Sequence, residues 1–322
     1  MFPQIRASVV VASRNRPQQL KECLKFILET LTADDEIIVV DSASASSDEI
    51  VDIALTAGAR LLRTEMGGSA RARNLGIQHA RGGFVAFTDD DARVESGWLN
   101  AIVSRFTDPA VAAVVGPVFE LDSAPPKLLI SFAHFDAAHD VVSFSRANPD
   151  WFARVRVGAI GSGANLAVRR SVFERHGFFP ESLGRGVPIP GDENYYLLKL
   201  VEGGETVMNE PTARVHHPQH SPARHQELRR RGIVYIAYVL LTRPQLRWPL
   251  LKRLLLRKFY EKRSSGPKMK IPFADLAIGL ILTPSLLLSA RRIDRASDSA
   301  RDINKPIISN ARCPSRPGCA PD

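Results

Sequence analysis

The sequence predicts an α/β fold built on a mostly parallel sheet flanked by helices, with a basic helical appendage at the C-terminal end. Three observations carry this: short β-branched runs alternate with helical patterns through the first half, carboxylates and small polar residues collect where those runs end, and the composition turns basic and Leu-rich after Ser221-Pro222. The 322 residues can bury a large core, and the length fits one α/β domain with an appendage or two domains. A net charge of +9 and a pI of about 9.7 call for an anionic partner: nucleic acid, acidic lipid or a phosphorylated substrate.

The predicted strands are Ser8–Ala12, Glu36–Val40, Arg60–Arg63 and Phe84–Thr88. Pro17 stands where a helix can start, and Leu20, Cys23, Leu24, Ile27 and Leu28 follow at the spacing of one apolar stripe. A second helix is expected from Ser47 or Asp48, with a capping side chain ahead of Ile50, Ile53 and Ala54. Ala124–Pro126 mark a connection, the pattern loosens through Trp151, and Gly158–His217 is compact again. Past Arg292 the chain is polar and Pro-rich, and is expected to be disordered. Cys23, Cys313 and Cys319 offer neither a disulfide framework nor zinc spacing, which fits a reducing cytosol. The N-terminal stretch is too short and too soon polar for a signal peptide, so the catalytic domain is expected in the cytoplasm.

Ligands of an open parallel sheet gather at the carboxyl ends of its strands. Strand one ends in Ser13-Arg14-Asn15-Arg16, strand two in Asp41-Ser42-Ala43-Ser44 and the fourth run in Asp89-Asp90-Asp91. Three adjacent acids repel one another unless a cation neutralises them, and hard oxygen ligands select Mg²⁺ or Mn²⁺. An isolated triplet would read as a helix-capping turn. Here the apolar run Gly83–Phe87 aims it at the ligand-binding edge.

Several motifs in order then resemble the family 2 glycosyltransferases: Val9–Pro17, Ile37–Ser42, Gly68–Gly76, Phe87–Asp91, Gly161–Arg169, Gly191-Asp192-Glu193-Asn194 and Pro211–His217. The resemblance spans about Ser8 to His217. It implies a GT-A type fold, with residues 1–222 as the catalytic domain (about 1–120 for the nucleotide-sugar, about 121–222 for the acceptor), 223–292 as a basic apolar helical region and 293–322 as a tail. It implies that a sugar passes, with inversion, from a nucleotide-diphosphate donor to an acceptor hydroxyl in polysaccharide or glycolipid synthesis. Carried onto this chain, it makes Asp89 and Asp91 the outer acids of a DxD motif holding Mn²⁺ or Mg²⁺, with His217 completing the metal site or contacting the diphosphate. Ser13, Asp41, Arg71, Arg73 and Asp90 form the donor-binding set: Asp41 bonds the base, Ser13 lines the base and ribose pocket, and the guanidinium forks of Arg71 and Arg73, Arg73 ahead of Arg71, reach for the diphosphate. Ser42 stands where the family often has a second acid. Glu193 takes the place of the general base, with Asp192 the runner-up, although both acids also suit a helix N-terminus. By strand alternation His217 shares a side with Pro211, Ala213 and Val215, whereas His216 faces away and reads as structural. Asn165 is expected to order the acceptor loop, Gly161 and Gly163 to allow close backbone approach, and Trp98 and Trp151 to be core or interface aromatics rather than sugar platforms.

In the C-terminal third, Gly232–Thr242 is uncharged and apolar, Leu246–Tyr260 mixes leucines with Arg247, Lys252, Arg253, Arg257 and Lys258, and the stretch from Leu276 offers 15 uncharged residues broken by Pro284, short of the roughly 20 that span a bilayer. The preferred expectation is an interfacial or re-entrant helix pair on an anionic membrane, which puts the enzyme peripherally on the inner face of the cell membrane with a glycan or lipid-linked acceptor. The alternative is a helical subdomain packed on the catalytic core. A sugar nucleotidyltransferase would open with a Gly-rich phosphate loop, and a dinucleotide oxidoreductase with G-x-G-x-x-G; neither follows strand one. A nucleic-acid-binding protein would leave the acidic triplet and Asp192-Glu193 as repulsion toward phosphate, so no nucleic-acid partner is expected. A catalytically inactive glycan-binding relative keeps the same motifs.

Overall fold

A computed structural model describes residues 5–130, 142–144, 161–219, 232, 234–246 and 248, with single helical positions at 285, 288 and 292. The sequence-expected tail after 292 and the stretches around Trp151 and 249–284 lie outside the described residues.

Strands β1 (Ala7–Ser13), β2 (Asp35–Ser42), β3 (Arg60–Thr64) and β4 (Phe84–Asp89) run parallel in the order β3-β2-β1-β4. β1 and β2 are buried along nearly their whole length, which is why they read as continuous β-branched runs rather than alternating ones. The sheet continues as β10 (Leu166–Arg169), β6 (Val111–Val115), β11 (Thr206–Asn209) and β9 (Val142–Phe144). β10 is antiparallel to both β4 and β6. A second sheet orders β5 (Arg93–Val94), β12 (Val215–His217), β7 (Val118–Glu120) and β8 (Leu128–Ile130).

Helix α1 (Pro17–Leu28) starts on its proline and buries Leu20, Cys23, Leu24 and Ile27. Leu28, expected on that stripe, is exposed at the helix end. α2 (Asp48–Thr56) buries Ile50 and Ala54, but Ser47 makes no side-chain cap; the acids Asp48 and Glu49 in the first turn complement the helix dipole instead. α3 (Ser69–His79) is buried over most of its length, and Gly76 is required there because a Cβ would lie 2.4 Å from Val10 Cγ1. α4 (Trp98–Ser104), α5 (Arg170–His176) and α6 (Asp192–Glu202) complete the flanks.

Trp98 is fully buried, as expected of a core aromatic, and its Nε1 donates to Asn165 Oδ1 at 2.9 Å. Asn165 Nδ2 in turn donates to the carbonyls of Pro117 (2.9 Å) and Ala213 (2.7 Å), tying the large sheet to the small one. Residues 234–242 form a helix whose Tyr235, Ile236, Val239 and Leu240 enter the core cluster of Tyr196, Leu197 and Phe179. Tyr235, Ile236, Val239, Leu240 and Leu246 thus belong to the same hydrophobic cluster as α6. Among the described residues no helix is long and apolar enough to cross a membrane.

Candidate active site

Parallel register puts the ends of three strands side by side: Ser13 opposite Asp41, and Ala12 opposite Asp89. A cavity of about 590 Å³ opens there, lined among others by Ser13, Arg73, Asp89, Asp90, Arg185, Asp192, Glu193 and His217.

Asp89, Asp91 and His217 bring ligand atoms within 4.8 Å of one another. His217 Nε2 lies 3.5 Å from Asp89 Oδ2 and 3.1 Å from the buried Asp91 Oδ1. Burial works against the imidazolium, but the two carboxylates outweigh it and raise His217 to about 10. Burial would likewise raise Asp89, yet Arg185, His217 and Arg73 hold it well below the usual carboxylate range. Asp91 is also lowered, by His217 and Arg16 against the cost of burial. Asp90 behaves differently: burial pushes it up to about 6 against Ser13, whose Oγ donates to Asp90 Oδ2 at 2.8 Å, and against Arg16. Two carboxylates and one imidazole whose ligand atoms lie within 4.8 Å of one another are a donor set that fits Mn²⁺ or Mg²⁺.

Arg73 connects this cluster to the start of α6. Its guanidinium lies 3.4 Å from Asp89, 2.7 Å from Asp192 and 3.9 Å from Glu193. The close approach at Gly163 is real: a Cβ there would stand 2.3 Å from Arg73 Nη2. Burial opposes the Arg73 charge, but Asp192, Glu193 and Asp89 keep it protonated. Asp192 is buried and also accepts from Ser69 Oγ at 3.2 Å. Glu193 is 21% exposed toward the cavity. Its own burial, then the Asp192 charge beside it, push its carboxyl well above the usual range.

Not every expected donor residue faces this space. Arg71 turns away and pairs with Glu181 at 2.9 Å. Asp41 is buried outside the cavity lining; Arg63 bonds one carboxylate oxygen and the Ser44 amide donates to the other at 3.0 Å. His216 faces away as expected and meets Glu95 at 2.8 Å.

Two cations at the site were not singled out from the sequence. Arg16 reaches Asp91 at 2.7 Å and Asp90 at 3.2 Å. Arg185 reaches Asp89 at 3.4 Å from a loop flanked by Gly184 and Gly186, both at positive φ, and pinned by Ser69, whose Oγ accepts from the Arg185 amide at 2.9 Å. Positively charged residues at a strand end and between two glycines were the available signal.

The large, mostly parallel central sheet flanked by helices is the fold of the GT-A glycosyltransferases. A mannosyltransferase from Pyrobaculum calidifontis, solved with GDP-Man and Mn²⁺, matches with a TM-score of 0.53 and 21% identity over 93% of this chain and 76% of its own. S. aureus TarS 1–349, solved with UDP, matches at 0.55 and 16% identity over 92% and 91%. In sequence, the pre-mycofactocin glycosyltransferase of Mycobacterium tuberculosis is 28% identical over 224 residues, 67% of this chain. The matched region spans 43% of that relative's length, and 62% of the Haloferax volcanii glycosyltransferase AglE, also 28% identical. The family described as glycosyl transferase family 2 matches residues 8–177, more than half of the chain. The chain belongs to the glycosyl transferase family 2.

Proposed function

We propose that the protein moves a sugar from a nucleoside-diphosphate donor to an acceptor hydroxyl, with inversion and with a divalent ion held by Asp89, Asp91 and His217. The observation that carries this is one cavity with a metal-type donor set on one side, a carboxyl of raised pKa on the other and Arg73 in contact with both. The divalent ion, when bound, supplies charge stabilisation for the departing diphosphate. The imidazole in the donor set favours Mn²⁺ over the harder Mg²⁺.

The chain's own residues do the rest. Glu193 accepts the acceptor's hydroxyl proton as the new glycosidic bond forms and the bond to the diphosphate breaks. A carboxylate with a raised pKa is the stronger base, nearer the optimum for proton transfer at neutral pH. Arg73 holds Asp192 beside Glu193. With an ion held by Asp89, Asp91 and His217, Arg185 and the Arg73 nitrogen that faces Asp89 would be the guanidinium donors nearest the diphosphate oxygens. Ser13 and Asp90 complete the donor side. The mannosyltransferase solved with GDP-Man and Mn²⁺ and the TarS fragment solved with UDP support a nucleotide-sugar donor.

Hydrolysis of a panel of UDP-, GDP- and dTDP-sugars with and without Mn²⁺ tests the reading. One donor consumed only with the ion is the expected result; no turnover on any donor, with no binding of UDP or GDP in the presence of Mn²⁺, overturns it. An anionic membrane surface as the place of action, and a lipid-linked or surface-glycan acceptor, belong to the same proposal and rest on the basic segment after Ser221.

A further inference from the structure

The segment of residues 234–246, helical over 234–242 and again over 244–246, touches α6 at both ends. At the far end Arg243 Nε donates to Tyr195 Oη at 3.0 Å, its guanidinium stands 4.7 Å over the Tyr195 ring, and it pairs with Glu202 at 2.9 Å, where Gln245 adds a bond of 3.0 Å. At the near end the Tyr235 ring lies on Gly191, the residue that opens α6. Gly191 has φ +90, and a Cβ there would lie 3.0 Å from the ring. Tyr235 is 4% exposed, and its hydroxyl is buried with no hydrogen-bond partner. Between these points Tyr238 meets Tyr195 edge-on at 5.4 Å and packs on Leu183 and Ile189, the flanks of the Arg185 loop. A helix that composition assigns to the appendage thus braces two elements of the site.

We infer that Tyr235 is a positioning residue for Glu193: its ring forms the dry wall behind the first turn of α6 and keeps water from the side of the carboxyl that faces away from the cavity. The inference rests on the reading of Glu193 as base. A buried tyrosine with an unpaired hydroxyl costs stability, and that cost has a use if the ring's place is what matters. The charged groups facing Glu193 are Asp192 on its own helix, Arg73 from α3 and Arg185 from the 184–186 loop. The two arginines favour the ionised form; Asp192 and the apolar wall favour the protonated one. Burial, then the Glu193 charge, pushes the Tyr235 hydroxyl up.

The test reads protonation directly, without any donor. Full-length protein carrying ¹³C at the glutamate carboxyl carbons is titrated by NMR, and Glu193→Gln identifies the Glu193 resonance. The parent should titrate well above the ordinary glutamate range. Tyr235→Ala should bring the midpoint down by about one pH unit or more as water enters, whereas Tyr235→Phe, which keeps the wall, should leave it in place. Thermal melts run alongside, and Tyr235→Leu carries the test if the alanine variant does not fold. A folded Tyr235→Ala or Tyr235→Leu protein with the parent midpoint overturns the inference, as does a Phe variant that shifts as far as the Ala one. Turnover separates the two claims: Glu193→Gln with undiminished transfer removes Glu193 as base whatever its midpoint.

Discussion

Glu193→Gln should cost activity and return stability, with a pH signature that can be worked out beforehand. In the folded chain burial and Asp192 raise the Glu193 carboxyl, so it holds its proton at pH values where the unfolded chain has released it. The native state then binds more protons than the unfolded one, and stability falls as pH rises from the ordinary glutamate range through the raised folded value. The ceiling on that slope is about 1.4 kcal/mol per pH unit. Because the group is 21% exposed and shares its field with Arg73 at 3.9 Å, a total of about 1–3 kcal/mol between pH 5 and 8 is the expected magnitude. Glutamine has the shape of the protonated acid and pays none of it. Urea unfolding followed by circular dichroism should show the two proteins nearly equal near pH 4.5 and the variant pulling ahead as pH rises. Sugar transfer should drop by roughly 10²–10⁴. A stability difference that does not change with pH, or one that favours the parent at pH 8, refutes the assignment of a raised carboxyl to this residue.

Asp89→Asn and Asp91→Asn should each abolish Mn²⁺-dependent binding of a nucleoside diphosphate while keeping the fold; calorimetry with unchanged binding in both variants refutes the metal site. Gly163→Ala should lower stability by about 2–4 kcal/mol in urea titrations, because the new methyl would stand 2.3 Å from Arg73 Nη2 and push the guanidinium off buried Asp192; a loss under about 0.5 kcal/mol, the range of an ordinary surface change, refutes that contact. Full-length protein should float with strongly anionic vesicles and be partly released by salt, and neutralising Arg247, Lys252, Arg253, Arg257 and Lys258 together should weaken it; protein that stays in the soluble fraction sinks the membrane proposal. The comparison is made in the full-length chain, because Tyr235, Ile236, Val239 and Leu240 are core residues.

The sequence made the donor-side half of the sheet legible because β1, β2 and β4 are buried runs whose ends carry the chemistry, and parallel register preserves that order in space. His217 was legible from strict alternation in β12. Arg71 and Arg73 were both named, but residues two apart on a helix point to nearly opposite sides, so only Arg73 reaches the cavity and Arg71 serves Glu181. The Asp41 carboxylate looked available because its partner Arg63 comes from the next strand, a contact with no local sequence mark. Arg16 and Arg185 escaped for the same reason: a counter-charge is defined by what folds against it. The strands β6, β9 and β11 are short, and antiparallel β10 enters the sheet from distant sequence, so no local pattern announced their pairing. Residues 234–246 looked like a lipid-facing segment because an apolar helix face reads the same whether lipid or protein covers it.

The basic charge and the catalytic cleft have separate causes. Residues 221–270 hold fourteen Lys and Arg against two Glu, an excess of twelve in a chain whose net charge is +9. The remainder is therefore slightly acidic overall, and at the site itself Arg16, Arg73, Arg185 and His217 already stand against Asp89, Asp90, Asp91, Asp192 and Glu193. On the proposed reading a cleft balanced in this way takes up a diphosphate together with a cation, since each guanidinium already stands against a carboxylate. The long-range field belongs to the other segment. Its apolar residues up to Leu246 pack on the hydrophobic core that holds α6; on the proposed membrane reading, the mixed leucine and lysine-arginine run that follows in the sequence is the part that would meet an anionic surface.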